Sequence, residues 1–395
     1  MSEIDRIIQI TDRAGTGAPN FTNGVNFAGS DSGLSPHKHT EGSTEPSSPS
    51  NGDTWWDTDN DIYKVYMDND WKDWLGTSAS TAIAWGGTRH VYSSYEANGN
   101  LDTIEYFSSV ASAGATAQDF GNLSAVRVVI ASTSSTTRGL FFGSTNYSNI
   151  SSNPAGQVID YITIATTGNA TDFGDLYFIE NGNYVLESQN ATGNGTRGII
   201  FGGYSGYTGM KNNIEYVTIA NTGNAADFGD LGEANRQGGA CSDATRAVYA
   251  RGTNTTNNGI EYVTIATTGN ATSFGTQTIS HGQQFAGCSD ATRGIFAGGD
   301  NSGRINSISY ITIQTTGNST DFGDMTGPRS RLGCTSDGTY GTVIGARNDG
   351  TTDSGSGTWT KQIDRFTIQT TGNATDFADA AVAVRYAGAC AGAPS

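Results

Sequence analysis

Ile159-Asp160-Tyr161-Ile162-Thr163-Ile164-Ala165-Thr166-Thr167-Gly168-Asn169-Ala170-Thr171-Asp172-Phe173-Gly174-Asp175-Leu176 decides how this chain folds, because the chain repeats it. Near-copies run from Ile214 to Leu231, Ile260 to Thr276, Ile308 to Met325 and Ile363 to Asp379, and a worn copy runs from Ile104 to Leu123. The central Phe falls at Phe120, Phe173, Phe228, Phe274, Phe322 and Phe377, at successive separations of 53, 55, 46, 48 and 55 residues. A period of that size in a strand-rich sequence marks a β-propeller, in which one four-stranded blade recurs around an axis.

Four stretches recur in each unit. The first is small and apolar, as in Gln284-Phe285-Ala286-Gly287-Cys288-Ser289. A turn leads to the second, Thr292-Arg293-Gly294-Ile295-Phe296-Ala297-Gly298-Gly299. The third is the Ile-Glu-Tyr-Val-Thr-Ile strand, and the fourth centres on Asp-Phe-Gly-Asp. In the third, Ile214, Tyr216 and Thr218 share one face while Glu215, Val217 and Ile219 share the other, so the sheet is covered on both sides. Thr167-Gly168-Asn169-Ala170 supplies a hairpin turn, and the recurring Phe is expected to plug the gap between blades. The Gly pair ending the second strand resembles kelch-type repeats, although the downstream Tyr and Trp of that pattern are absent. After the sixth Asp-Phe, Arg385-Tyr386-Ala387-Gly388-Ala389-Cys390 repeats a first strand with nothing behind it. It is expected to complete the first blade, because an orphan strand would expose an edge. Six blades are expected, with seven as the alternative count, since Ala82-Ile83-Ala84 also looks like a first strand.

The formal charge is −17, from 38 acidic and 21 basic residues. This disfavours a nucleic-acid partner, because phosphate backbones call for a basic surface. No run of 18 apolar residues signals a membrane span, and the polar start Met1-Ser2-Glu3-Ile4-Asp5 does not look like a secretory signal. Cys241, Cys288, Cys334 and Cys390 fall in one slot of successive repeats and read as small, buried, reduced thiols.

Three regions follow: an extended arm and linker at 1–50, a small Trp-rich β-hairpin module at 51–78, and the propeller at 79–395. The arm has no steady period, and Glu41–Gly52 is mostly Ser, Pro, Gly, Thr and Glu. Four of the six Trp lie in the module, where large rings give a small unit its core. Trp55 and Trp56 are adjacent and face opposite sides of a strand, so one of them is a candidate contact residue.

Pro49-Ser50-Asn51-Gly52-Asp53-Thr54-Trp55-Trp56-Asp57, followed by Ile62-Tyr63-Lys64-Val65-Tyr66 and Trp71, resembles a module of tail-fibre and appendage proteins of tailed bacteriophages. The Thr-Thr-Gly-Asn-Ala-Thr-Asp-Phe-Gly-Asp-Leu repeats resemble those of virion structural proteins of marine phages, cyanophages among them. The resemblance implies a virion protein whose arm docks to other virion proteins and whose propeller either contacts a host surface glycan or protein or serves as structural decoration. A head, neck or baseplate decoration protein and a polysaccharide-degrading appendage are the alternatives. His37-Lys38-His39 places two imidazoles on one side of an extended strand. Resembling phage spikes use His-x-His from three chains to hold iron, which would make His37 and His39 metal ligands in a trimer; two exposed linker histidines are the plain alternative.

The remaining motifs have structural readings. Asp-Phe-Gly recurs at Asp119, Asp172, Asp227 and Asp321 without the lysine, glycine-rich loop or His-Arg-Asp of a kinase. Its Asp is expected to serve a turn or to pair with a repeated Arg, drawn from Arg127, Arg236, Arg329 and Arg385. The sequons at Asn169, Asn270, Asn318 and Asn373 read as turn chemistry. Asp68-Asn69-Asp70 and the loop from Asn348 to Asp353 are acidic enough for calcium, but neither matches a calcium-loop spacing. None of the four His stands beside a recurring Ser, and no enzyme is expected. The segments that vary most, Gly143–Gln157, Gly202–Asn213, Asp300–Asn306 and Asn348–Trp359, all join second to third strands. They are expected to share one face and to form the contact surface, with Tyr204, Tyr207 and Trp359 as candidate contact residues.

Overall fold

A computed structural model of the chain describes residues 39–50, 52–57, 62–67, 70–73, 87–97, 99, 102–127, 131–143, 156–178, 189–205, 208–253, 258–345 and 359–392. Two compact units divide it, Met1–Ser80 and Thr81–Ser395. In the first, β1 (His39–Gly42), β2 (Thr54–Asp57), β3 (Ile62–Met67) and β4 (Asp70–Asp73) form one sheet in chain order. β1 runs parallel to β2 and the other pairs are antiparallel. β1 comes from the segment expected to be arm, and it adds an edge strand to the Trp-rich module. Trp55 is 4% exposed, and its Nε1 donates to the Gly42 carbonyl at 2.9 Å. Its ring meets Trp71 edge-on at 5.7 Å, and Trp71 meets Tyr66 at 5.3 Å. A sheet this small obtains its core from such rings.

The second unit is a β-propeller. The first repeat supplies β5 (Arg89–Glu96), β6 (Thr103–Ser108), the two-residue β7 (Ala115–Thr116) and β8 (Gln118–Asn122). Four complete blades follow, each a four-stranded antiparallel sheet in chain order. They are β9 (Ala131–Ser134), β10 (Arg138–Phe142), β11 (Val158–Thr163) and β12 (Thr171–Asp175); then β13 (Asn190–Gly193), β14 (Arg197–Ser205), β15 (Gly209–Thr218) and β16 (Ala226–Asp230). Next come β17 (Gly239–Ser242), β18 (Arg246–Ala250), β19 (Gly259–Thr264) and β20 (Thr272–Thr276); then β21 (Ala286–Ser289), β22 (Arg293–Ala297), β23 (Ser307–Thr312) and β24 (Thr320–Asp324). The last repeat supplies β25 (Gly333–Ser336), β26 (Tyr340–Ile344), β27 (Thr360–Thr367) and β28 (Thr375–Gly392).

Four blades therefore stand as separate sheets, not the six or seven that the repeat count predicts. The reason is β28. Thr375–Asp379 pair with β27, while Val384–Gly392 pair with β5. One 18-residue strand is thus the outer strand of the last repeat and the inner strand of the first. The pairing shifts register on both sides, between Thr360 and Gln362 against β27 and between Arg385 and Gly388 against β5, and the two repeats share one eight-stranded sheet. The C-terminal segment does lie against the first repeat, as its resemblance to a first strand predicts. The inner strands β9, β13, β17, β21, β25 and the second half of β28 neighbour one another in that cyclic order, and β28 returns to β9. Residues 82–84, the basis of the seventh count, lie outside the described residues.

Each gap between repeats is filled from both sides. Phe173 packs with Leu140, Phe142 and Ile159 of its own blade and with Ile200, Val217 and Ile219 of the next. Phe120, Phe228, Phe274, Phe322 and Phe377 take the same role in five further clusters. All six are 2 to 4% exposed, and burying each ring contributes roughly 1.5–3 kcal/mol. Above the ring stands the tyrosine of the third strand: Tyr106, Tyr161, Tyr216, Tyr262 and Tyr310 meet their Phe edge-on at 5.8 to 6.1 Å. Above the tyrosine lies the Thr-Arg guanidinium: Arg89, Arg138, Arg197, Arg246 and Arg293 sit 4.4 to 4.8 Å over those rings. Each Arg then donates to a carbonyl of the following repeat, Arg138 to Ile219 and Ala220 at 2.9 Å each.

In the last repeat the two residue types have changed places. Tyr340 holds the arginine position and Arg365 the tyrosine position, yet Arg365 lies 4.6 Å over Tyr340 and 3.9 Å over Phe377. Its Nη1 donates to the Ser109 carbonyl at 2.7 Å. The column is conserved in chemistry although its residues are exchanged.

A backbone latch completes the joint. The N–H groups of Gly168, Gly223, Gly269 and Gly372 donate to the carbonyls of Phe120, Phe173, Phe228 and Phe322 at 2.7 to 2.8 Å. The Oδ1 atoms of Asn169, Asn224, Asn270, Asn318 and Asn373 accept the N–H two residues after each Phe at 3.0 to 3.1 Å. The recurrent Gly-Asn is therefore inter-blade chemistry, and the sequon asparagines spend their side chains on it. Gly174, at φ 148°, shows why a glycine follows the Phe: a Cβ there would overlap the backbone of Gly223.

The cysteines depart from expectation in one place. Cys241, Cys288 and Cys390 pair with Val248, Ile295 and Val91 at a shared position. Cys334 is one residue out of register, opposite Val343, and Thr335 takes the shared position. All four are buried and unbridged, and burial pushes the Cys390 thiol up to about 12.

Two outcomes follow. Arg365→Tyr and Tyr340→Arg are each expected to lower the unfolding free energy by about 1–3 kcal/mol, while the double variant recovers most of the loss in a denaturant-melt cycle. Ending the chain at residue 382 is expected to leave the edge of β5 unpaired, lowering the melting temperature and producing concentration-dependent association by light scattering.

Candidate functional site

The order of strands in every blade puts the second-to-third connections and the blade-to-blade linkers on one face, called here the mouth. The first-to-second and third-to-fourth turns lie on the other face. The Arg–Tyr–Phe columns and Gly-Asn latches belong to that second face, and the chain enters the ring there, at Arg89, opposite Gly392. The four varied segments all connect strand ends on the mouth face. In Gly202–Asn213, β14 and β15 extend into the longest second-to-third hairpin among the described residues, pairing Tyr204 with Met210 and Ser205 with Gly209. Gly143–Gln157 and Asn348–Trp359 lie mostly outside the described residues.

At the centre of the mouth the inner strands line an open cavity. Gln189, Asn190, Gln237, Gln284, Arg331 and Tyr386 supply its polar wall. Gln237, Gln284 and Arg331 sit two residues ahead of their inner strands and Tyr386 two residues before pairing with β5 resumes at Gly388, with φ of 57°, 62°, 62° and 52°. Left-handed backbone is costly for such residues and persists only where the surroundings hold it. Here a backbone chain does so: Gln284 N–H donates to the Gln237 carbonyl at 2.7 Å, Arg331 to Gln284 at 2.8 Å and Tyr386 to Arg331 at 2.6 Å. Arg331 Nε also donates to Gln284 Oε1 at 3.0 Å, and its guanidinium lies 4.7 Å over the Tyr386 ring.

Gln189 differs from these neighbours. It is 4% exposed, and neither its Oε1 nor its Nε2 has a hydrogen-bond partner. The Oδ1 of Asn190 beside it is also unpartnered. Deeper along the axis the walls become hydroxyls tied across strands, as where Ser289 Oγ donates to the Ser242 carbonyl at 2.7 Å and Ser134 Oγ to Ala391 at 2.8 Å. Ala, Gly, Ser and Cys dominate the inner strands because the circumference there is too tight for larger groups.

Arginines and aromatic rings gather around the rim. Arg385 lies 4.3 Å over Trp359, 4.9 Å over Tyr95 and 5.3 Å over Tyr386, and Trp359 meets Tyr95 edge-on at 4.8 Å. Arg236 lies 4.1 Å over Tyr204. Two of the expected contact residues, Tyr204 and Trp359, are thus half-buried partners of arginines on the mouth face. Trp55 belongs to the core of its own small sheet. Tyr207, His37 and the side chains of Trp56 and His39 lie outside the described residues. Among the described residues no three of His, Cys, Asp and Glu are grouped to hold a metal, and no helix is long and apolar enough to cross a membrane.

The expected ring of pairs between the recurring Arg and the Asp of Asp-Phe-Gly is not what forms. Arg127 pairs with Asp160 at 2.5 Å, both fully buried, and Arg329 pairs with Asp364. The acids come from the third strand instead, while Arg236 and Arg385 stack on rings. At that same third-strand position Glu261 meets Arg251 at 2.9 Å, and Ser309 accepts or donates at 2.7 Å to His281 Nε2. At this third-strand position of the four complete blades, among the described residues, Glu215 is the carboxylate with no ion pair. It accepts the N–H groups of Tyr177 at 2.8 Å and Phe178 at 3.1 Å, and the Asn213 amide at 2.9 Å.

Burial raises the Glu215 carboxyl from 4.5 to about 7, and burial lowers His90 and His281 from 6.5 to about 4. The signs oppose. A raised carboxyl makes the folded state bind the extra proton, so this contribution to stability falls as pH rises from about 4.5 to 7. The lowered histidines make the unfolded state bind more protons, so their contribution falls as pH drops from 6.5 to about 4. Relative to Glu215→Gln, the wild-type chain is expected to lose on the order of 2–3 kcal/mol of unfolding free energy between pH 5 and 8 in urea titrations. A gap that does not change with pH would show that Glu215 is ionised throughout.

The repeated residues that a sequence shows most readily are those of the joints, whereas the cavity wall varies in type from repeat to repeat. Its one sequence signal is position, two residues ahead of β17, β21 and β25 for Gln237, Gln284 and Arg331. Comparison with protein-family models and with curated proteins found no match, so the functional reading rests on the residues and their arrangement.

Proposed function

We propose that this chain is a non-enzymatic contact protein of a phage virion, an appendage held to the particle through its N-terminal segment and presenting the mouth face of its propeller to the host surface. The observation that carries the reading is the segregation of the repeats. The residues they share hold the ring together on one face, and the segments in which they differ emerge on the other, where Arg236 stacks on Tyr204 and Arg385 on Trp359. A surface free to vary on a rigid frame suits recognition. The virion setting is supported by the resemblance of the Trp module and of the Thr-Thr-Gly-Asn-Ala-Thr-Asp-Phe-Gly-Asp repeats to phage appendage and virion proteins. Trimeric assembly and a His37/His39 iron site belong to the same proposal.

A purely structural decoration protein would carry the same ring without needing its loops, and a polysaccharide-degrading appendage would release sugar. Replacing residues 204–210 by a short turn shortens the β14–β15 hairpin without touching the joints. Labelled protein with this change is expected to adsorb at least tenfold less to a panel of marine bacterial cells, with an unaltered melting temperature. Equal adsorption of both proteins would refute the contact role. Reducing-sugar release from purified envelopes would favour the enzymatic reading.

A further inference from the structure

Among the described residues, the joint between the β21 and β25 repeats holds a side-chain pair that no other joint has. Along each inner strand the side chains alternate between the joint ahead and the joint behind. Cys241, Cys288 and Cys390 stand opposite Val248, Ile295 and Val91 and face the joint ahead. Cys241 accordingly packs with Phe285, Phe296 and Ile311 of the next blade, and Cys390 with Phe141 and Ile162. Cys334 stands one residue earlier in its strand, opposite Val343, and a shift of one residue turns a side chain to the other face. It therefore faces back towards β21, into the joint that Cys288 enters from the other side. Both belong to one packed cluster with Ile295, Phe322, Val343 and Phe366.

In the other repeats the position of Cys334 holds Ala191, Ala240, Gly287, Ala389 or Ser132, so Cys241 and Cys390 face no second thiol. The two strands that carry the pair lie side by side, since Ser336 Oγ donates to the Ser289 carbonyl. That contact is two residues past Cys334 and one past Cys288. Cys288 and Cys334 are also the least buried of the four cysteines, 6% and 8% exposed against 0% for Cys241 and 3% for Cys390. Together with Ser289 and Ser336 they line the channel along the axis, whose hydroxyls suit a water-sized oxidant. The neighbouring Cys334 thiol, ahead of burial, holds the Cys288 thiol well above its usual range. Cys288 thus stays protonated at neutral pH and is suited to the second, resolving step of an oxidation.

We infer that Cys288 and Cys334 are an oxidisable pair, a modification site at which a peroxide closes a disulfide that braces one joint of the ring. A thiolate attacks one peroxide oxygen, the O–O bond breaks, and a sulfenic acid and hydroxide form. The other sulfur attacks the sulfenic sulfur, the S–O bond breaks, and water leaves with the remaining proton. In sum, two thiols lose two electrons and two protons, and one peroxide becomes two waters. The bridge ties residues 46 positions apart in the chain, which restricts the unfolded state more than the folded one. A chain that passes from a reducing cell interior to an oxidising medium, as the virion reading requires, closes the bridge on release. That setting rests on the virion reading; the chemistry of the pair does not.

The full chain is treated with millimolar hydrogen peroxide, unfolded, alkylated and mapped by mass spectrometry. The expected product carries alkylated Cys241 and Cys390 and a Cys288–Cys334 cross-linked peptide that dithiothreitol releases. Its melting temperature is expected to exceed that of the reduced chain by roughly 4–10 °C. Cys334→Ala matches Ala240 at the same position, so it is expected to melt close to the reduced wild-type chain and to form no bridge. Adding Thr335→Cys to that variant restores a thiol that faces the joint ahead, and Cys288 is again expected to stay unbridged. No cross-link after exhaustive oxidation, a cross-link to Cys241 or Cys390, or equal bridging in the Cys334→Ala/Thr335→Cys variant would each overturn the inference. A bridged chain that melts no higher than the reduced one would overturn the bracing role. No cell enters this measurement, so the pair stands or fails apart from the contact role, which adsorption decides.

Discussion

The joint between neighbouring repeats is the interaction on which the rest of this structure depends. A single blade of four short strands buries little surface, so its stability must come from its neighbours. Three layers meet at each joint: a phenylalanine in the gap, a tyrosine edge-on to it, and an arginine that covers the ring and reaches the next repeat. The glycine–asparagine turn then hydrogen-bonds the preceding outer strand from the side. The long, nearly invariant stretch around Asp-Phe-Gly is therefore not a site. It is a joint written several times.

That explains what could be read in the sequence. Strand order, the role of the central Phe and the pairing of the C-terminal segment with the first repeat all follow from the repeat and from the need to cover an edge. The number of separate blades does not, because nothing in Thr375–Gly392 signals that Val384 pairs with both Thr360 and Glu96 and so joins the last repeat to the first in one sheet. The arginine–tyrosine column was legible in principle. Tyr340 and Arg365 break the pattern of the other repeats in opposite senses, and two departures that cancel imply contact. The shift of Cys334 by one residue was hidden because a short, small-residue strand has almost no register signal of its own.

The candidate site was much less legible. Tyr204 and Trp359 were singled out as aromatic residues in varied segments, and both lie by the mouth. Gln237, Gln284, Arg331 and Tyr386 share a position but neither size nor charge, and Gln189 stands one residue further along its repeat, so no motif marks them. Their common property is a backbone conformation, left-handed in four of them, which side-chain identity does not reveal outside glycine. The buried acids show the same limit: the residue at the Asp160 position of the repeat is polar throughout, yet whether its partner is Arg127, His281 or two backbone N–H groups is decided by linkers with no common sequence.

The pairing of β28 with β5 also has a mechanical meaning. β5 begins where the chain enters the ring, on the face away from the mouth, and is hydrogen-bonded along one edge to β28 and along the other to β6. A tension applied between the leader and anything gripped at the mouth pulls β5 along its own axis. The load then falls on two ladders in shear, with many bonds strained together, instead of peeling them one at a time. The weld that closes the circle is thus placed where a tethered protein under drag would be most strongly pulled.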